Sequence, residues 1–214
     1  ADLTIGCSPG SEIVASSLKG VPMRYLLIVV VSLSPLLTDS AWSADRSGEQ
    51  PESISLWQGP APVGDGTTED GDVRLTLHRP VKPNGTGIVI CPGGGYGGLV
   101  TGGEGHGIAK WLNAHGITGI GLEYRLPKGR PYVPLIDAQR AIRTARANAK
   151  QWNLDAGRIG IIGFSAGGHL ASTAATHFDS GIAQSDDLIT RQSSRPDFAI
   201  LIYPVITMSE STHA

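Results

Sequence analysis

Cysteine is scarce in this chain: Cys7 and Cys91 are the only two among 214 residues. That excludes a disulfide framework, and Cys91, closing an apolar run, reads as a small buried hydrophobe rather than a nucleophile. Net charge is lacking too. A formal charge of -2 supplies no field for a polyanion, so nucleic acid is not expected as a partner. The apolar run from Tyr25 to Leu37 is broken by Ser32, Ser34 and Pro35 and is too short to span a bilayer. Phosphate-cradling motifs are missing: there is no G-K-S/T, and no G-x-G-x-x-G correctly spaced from an acidic partner. His169, His177 and Asp179 lack metal-ligand spacing, so no metal is assigned.

Glycine, by contrast, is abundant at 29 residues, and two glycine stretches carry the chemistry. The first is Gly163-Phe164-Ser165-Ala166-Gly167, the pattern G-x-S-x-G of a nucleophile elbow. The apolar run Arg158 to Ile162 before it suits a buried parallel strand. The alanine-rich run Ala166 to Ala175 after it suits a helix. A sharp turn between them lifts the Ser165 hydroxyl clear of the sheet, and side chains at 163 and 167 would collide with neighbouring backbone. The helix start aims unpaired N–H groups at any negative charge forming beside the serine. The bland alternative is a Gly-rich strand-to-helix turn that happens to contain Ser.

The second stretch is Pro92-Gly93-Gly94-Gly95-Tyr96-Gly97-Gly98, entered directly from the apolar strand Gly87 to Cys91. Acyl transfer needs fixed donors where a carbonyl oxygen becomes an oxyanion, and backbone N–H groups serve without reorganisation. Gly94 and Gly95 are assigned that role, together with the N–H of Ala166 just after the serine. A plain flexible loop is the alternative.

Around these stretches the chain divides into four parts. Residues 1–22 are expected to be upstream sequence without a folded role. Residues 23–43 have the grammar of a secretory signal, with Met23-Arg24, the apolar run and Ala41-Trp42-Ser43 before a cut after Ser43, or secondly after Ala44. This predicts a secreted or periplasmic protein. Residues 44–72 form a polar lead-in, and residues 73–214 the folded domain. Within it, alternation over Val73, Leu75 and Leu77 predicts a half-exposed edge strand. Helices are predicted over Glu104 to His115 and Pro134 to Trp152, with strands over Ile117 to Tyr124 and Asp197 to Tyr203. Arg140, Arg143, Arg146 and Lys150 suggest a solvated helix face. Asp137 suggests a first-turn charge complementing the helix dipole, and Glu104 and His106 suggest caps, with a substrate-side contact as the alternative. Asp179, Asp186, Asp187 and Asp197 read as surface or turn residues, and His177 and His213 as exposed. His169 reads as a structural residue touching the glycine loop. Alternating strands and helices make a mostly parallel sheet with helices on both faces.

Cys91-Pro92-Gly93-Gly94-Gly95-Tyr96 resembles the H-G-G-G oxyanion loop with Pro in the His position. With Glu123-Tyr124-Arg125-Leu126, Asp137-Ala138-Gln139-Arg140-Ala141 and Gly163 to Ala171, it is similar to secreted carbohydrate esterases of the α/β-hydrolase superfamily. Acetylxylan-esterase-like and bacterial feruloyl-esterase-like enzymes are among them, some labelled as xylanases. The resemblance covers roughly residues 73 to 208 and implies cofactor-free serine hydrolysis of acyl groups on plant polysaccharide, or of a small ester. It also implies an acid and a histidine after the elbow. Only 49 residues follow Ser165, so those two groups are expected beyond residue 214, with the α/β-hydrolase domain incomplete on its C-terminal side. Two other readings stay open: a peptidase of the prolyl-oligopeptidase kind, and an inactive fragment or binding module. In the incomplete domain the last strand would be a bare apolar edge.

Overall fold

The computed structural model describes residues 26–27, 50–69, 72–130 and 132–207. The strands, in chain order, are β1 (Leu26–Leu27), β2 (Glu52–Ser55), β3 (Ala61–Pro62), β4 (Thr68–Glu69), β5 (Arg74–His78), β6 (Gly87–Cys91), β7 (Thr118–Glu123), β8 (Ile159–Phe164) and β9 (Phe198–Ile202). A seven-stranded sheet runs β1-β9-β8-β6-β7-β5-β2, and β3 pairs with β4 separately. β6 is central: Val89 lies opposite Ile120 on one side and Ile161 on the other, both in parallel register. β5 and β2 are antiparallel. The sheet is that of an α/β-hydrolase, mostly parallel, as the alternation of elements predicts.

The helices explain why β6 is apolar throughout. Alternate residues of a strand face opposite sides, and both sides here are covered. Val89 and Cys91 pack with Ala138, Ala141 and Ala145 of α2 (Val133–Ala147) and with Leu170 and Ala174 of α3 (Ala166–Thr176). Ile88 and Ile90 pack with Ala109 and Leu112 of α1 (Ile108–Ala114) on the other face. Burying each Ile or Val contributes roughly 1.5–3 kcal/mol. The alanine stripe lets α2 lie close to the sheet.

Several expectations are corrected. The strand beginning near Val73 is no edge: β5 lies between β7 and β2, with Thr76 and His78 buried. The lead-in supplies that outer neighbour, and its β2, β3 and β4 show that it is more than a surface approach. Its polar, Pro/Gly-rich composition hid β2, whose partner β5 lies outside the lead-in, and the two-residue strands β3 and β4, which pair with each other. α2 ends at Ala147 and turns follow to Asn153, so it is shorter than Pro134 to Trp152. The helix over Glu104 to His115 begins instead as a π-helical turn, Thr101–Gly107, before α1. The strand β9 is not bare along its whole outer edge, since Leu26–Leu27 pair in parallel with Ala199 and Ile200. Apart from that pair, residues 1–22 and 23–43, and with them Cys7, lie outside the described residues, as does His213.

The arginine face of α2 is not solvated either; Lys150, in the turns that follow the helix, is exposed. Arg140 pairs with Asp187 and stacks 4.9 Å over the Trp57 ring. Arg143 pairs with Asp179, and Arg146 with Asp197 at 3.0 Å. These pairs fasten the polar segment 177–197 to the helix. Burial opposes ionisation of Asp187, but hydrogen bonds from Arg140 and Thr190 outweigh it and hold the carboxyl below its ordinary value. Asp137 complements no first turn. It is fully buried, accepting the Arg125 N–H at 2.9 Å, its guanidinium at 2.7 Å and the Trp57 indole N–H at 2.9 Å.

Candidate active site

Ser165 stands between β8 and α3, at φ 50 and ψ -116. Outside glycine a positive φ is uncommon, and this pair of angles also lies outside the left-handed helical region, so serine is held there by its neighbours. Its N–H donates to the Ile202 carbonyl at 3.1 Å, and its carbonyl accepts from His169 and Val205 at 3.1 Å each. The glycines around it allow close approach. A Cβ at Gly163 would come within 2.0 Å of the Gly167 oxygen, and one at Gly167 within 2.1 Å of the Cys91 oxygen. The backbone of the elbow is therefore pressed against the end of β6, where the second glycine stretch begins.

That loop leaves β6 through Pro92 and Gly93. Gly93 is buried and fully engaged: its N–H donates to Glu104 Oε2 at 2.7 Å, and its carbonyl accepts from Val100 at 2.9 Å. Gly94 and Gly95 are exposed, with φ 136 and 61. A Cβ on Gly94 would come within 2.3 Å of the Gly98 oxygen, so glycine is required there on both counts. The Gly94 carbonyl accepts from Gly97 and Gly98, while the Gly94 and Gly95 N–H groups donate to nothing among the described residues. The first N–H groups of α3, beginning at Ala166, have no intrahelical partner either.

Three rings buttress this loop. Tyr96, at φ 58, bonds through its hydroxyl to His169 Nδ1 at 2.9 Å. His169 thus touches the glycine loop, and burial lowers its pKa, favouring the neutral ring. The Tyr124 hydroxyl donates to the Pro92 carbonyl at 2.7 Å, and its ring meets Tyr96 edge-on at 6.4 Å. Burial pushes up both phenols and also the Cys91 thiol, which is completely buried.

Glu104 and His106 cap nothing. Glu104 spans to Gly93 and to the Tyr203 hydroxyl, the latter at 2.6 Å from Oε1. His106 Nδ1 lies 3.0 Å from His78 Nε2. Both partners are distant in sequence, so a local capping argument could not find them; the acid after a glycine-rich run was the sole signal. Among the described residues no imidazole or carboxylate hydrogen-bonds the Ser165 hydroxyl, no group of three His, Cys, Asp or Glu could hold a metal ion, and no helix is long and apolar enough to cross a membrane. His177 is exposed and bonds to its neighbour Thr176. Asp137 faces the same end of the sheet but has its oxygens committed. A cleft of about 210 Å³ opens where α2 begins, lined by Gly64, Asp65, Arg130, Tyr132 and Val133.

Comparison with known proteins agrees with this geometry. The BD-FAE family model matches residues 79–209. The acetylxylan esterase of Xylanibacter ruminicola is 39% identical over 143 residues, which cover 67% of this chain and 27% of that protein. The endo-1,4-beta-xylanase B of Butyrivibrio fibrisolvens is 36% identical over 133 residues, 59% of this chain and 20% of that one. Among solved structures, an acetyl ester-xyloside bifunctional hydrolase from Caldicellulosiruptor lactoaceticus superposes with TM-score 0.65 at 40% identity, covering 74% of this chain and 59% of its own. The chain thus spans less than two thirds of each of these relatives.

Proposed function

The chain belongs to the BD-FAE family of α/β-hydrolases, and on that premise we propose that it carries the nucleophile and oxyanion donors of a serine esterase acting on acylated plant polysaccharide. The observation that carries the reading is the strained Ser165 beside unengaged amides. Ser165 Oγ attacks the ester carbonyl and gives its proton to a base. The carbonyl oxygen, now anionic, is held by the N–H groups of Gly94, Gly95 and Ala166. Collapse expels the sugar hydroxyl, which takes up the proton, and water then releases the acid from the acyl-enzyme by the same steps. The chemistry calls on water and oriented dipoles and on no cofactor. The base and its acid partner are proposed to lie beyond residue 214, consistent with the greater length of the relatives.

Xylan as the backbone is supported by the relatives' names, acetylxylan esterase and endo-1,4-beta-xylanase B. We also propose export, on the basic start, apolar run and small residues of 23–43; the amino terminus of the exported protein should then be Ala44.

The test is a fluorophosphonate probe and acetylated xylan, offered to the full-length gene product and to its Ser165→Ala variant. Labelling is expected at Ser165 alone, with turnover lost by about a million-fold in the variant. A folded protein that neither labels nor releases acetate sinks the reading. Preference for a chromogenic peptide over acetylated xylan would reassign it to a peptidase.

A further inference from the structure

Glu104 stands between the glycine loop and the end of β9 with both carboxylate oxygens taken. Its bonds to Gly93 N–H and Tyr203 O–H, 2.7 and 2.6 Å, have the short lengths of charge-assisted contacts. It is also beside the serine. A Cβ built on Gly93 would meet Glu104 Oε2 at 2.8 Å and the Ser165 Cβ at 3.2 Å. Tyr203, at φ 35, directly follows Ile202, whose carbonyl accepts the Ser165 N–H. Its ring meets Phe164, the residue before the serine, at 6.0 Å. Tyr203 is about half-exposed; partial desolvation, then the bond to Glu104, push its phenol up to about 12, so it remains a donor.

We infer that Glu104 is a positioning residue for the serine chemistry proposed above: it pins Gly93, so that the next two N–H groups face the acyl oxygen, and ties that loop to the strand exit that holds Ser165. It touches no substrate and acts through Gly93 and Tyr203. The argument is one of freedom and its removal. A run of glycines samples more backbone conformations than any other sequence, whereas donors for a developing oxyanion work because they are already in place. With its N–H bound by Glu104 and its carbonyl by Val100, Gly93 is a fixed pivot, and unengaged amides begin only at Gly94. The inference rests on the esterase reading for its consequence, though not for its geometry.

The test uses the full-length gene product with Glu104→Ala, Glu104→Gln and Tyr203→Phe. Glutamine can accept from Gly93 and donate to the Tyr203 oxygen, so it keeps both contacts without the charge; alanine keeps neither. Alanine is expected to lower kcat for a chromogenic acetate ester, and the rate of fluorophosphonate labelling, by about 100-fold, with KM within about threefold. Glutamine should recover most of that loss. Deuterium uptake across 92–98 should rise in the alanine variant and stay low in the glutamine one. Should alanine prevent folding, Tyr203→Phe carries the test, since it removes one of the two bonds and should slow labelling by about three- to tenfold.

Wild-type kcat in the folded alanine variant, or wild-type labelling in Tyr203→Phe, overturns the inference. So does a glutamine variant as impaired as alanine but with a protected loop, because the carboxylate would then act by its charge. A wild-type protein that neither hydrolyses nor labels, yet shows the same pattern of deuterium uptake, ends the esterase reading and leaves the anchor standing.

Discussion

Two polar regions of this molecule end in opposite conditions. Along α2, charged side chains are matched. Asp137 takes four donors from Arg125 and Trp57, and Arg140, Arg143 and Arg146 each hold an aspartate. Among the described residues, Arg143 Nε is the one buried side-chain atom of that face without a partner. At the end of β6 and β8 the reverse holds: Gly94 and Gly95 N–H groups are left unengaged among the described residues, and Ser165 is kept at positive φ. A satisfied buried network is scaffold, while unengaged donors and strain that neighbours hold in place mark where a substrate would complete the bonding. The contrast also disqualifies Asp137 as a catalytic acid in a way that burial alone does not, because its oxygens are already spent.

If this division is right, variants of the two regions should fail differently. The largest effect in the loop, after loss of the serine itself, belongs to Gly94→Ala. The new Cβ meets the Gly98 oxygen, so the loop must move and the donors with it. Labelling and turnover should fall by about 100- to 1,000-fold, with a modest change in the urea midpoint. Asp137→Asn should do the converse. Removing half of a buried pair costs about 3–5 kcal/mol, read as a lower urea midpoint. The folded fraction should label at the wild-type rate. Loss of labelling at full stability in Asp137→Asn would break the comparison outright.

How much of this could be read beforehand follows from where each signal lies. The elbow and the glycine loop are contiguous in sequence and carry their reasons locally, so Ser165, Gly94 and Gly95 could be named as candidates without coordinates. The parallel sheet followed from alternating apolar runs. Glu104, Asp137 and the arginine pairs could not be found in this way. Their partners are 11 to 99 residues away, and a charge on a helix looks the same whether it meets solvent or a buried aspartate. β2 was hidden for the related reason that Glu52–Ser55 is polar and becomes a strand only because β5 lies beside it.

The smallest expected effect is the most discriminating within the scaffold itself. Asp179 pairs with Arg143 as Asp137 does with Arg125, yet its side chain is 53% exposed where Asp137 is wholly buried. Water already solvates the outer carboxylate, so the pair gains little when formed and little is stranded when it is cut. Asp179→Asn also keeps an oxygen for the Gly181 N–H that Oδ1 now accepts. A loss below about 1 kcal/mol is expected, shrinking further as salt is raised. A loss as large as that of Asp137→Asn would mean that the segment 177–197 depends on this contact as the core depends on its buried pair, and exposure would no longer rank the four arginines.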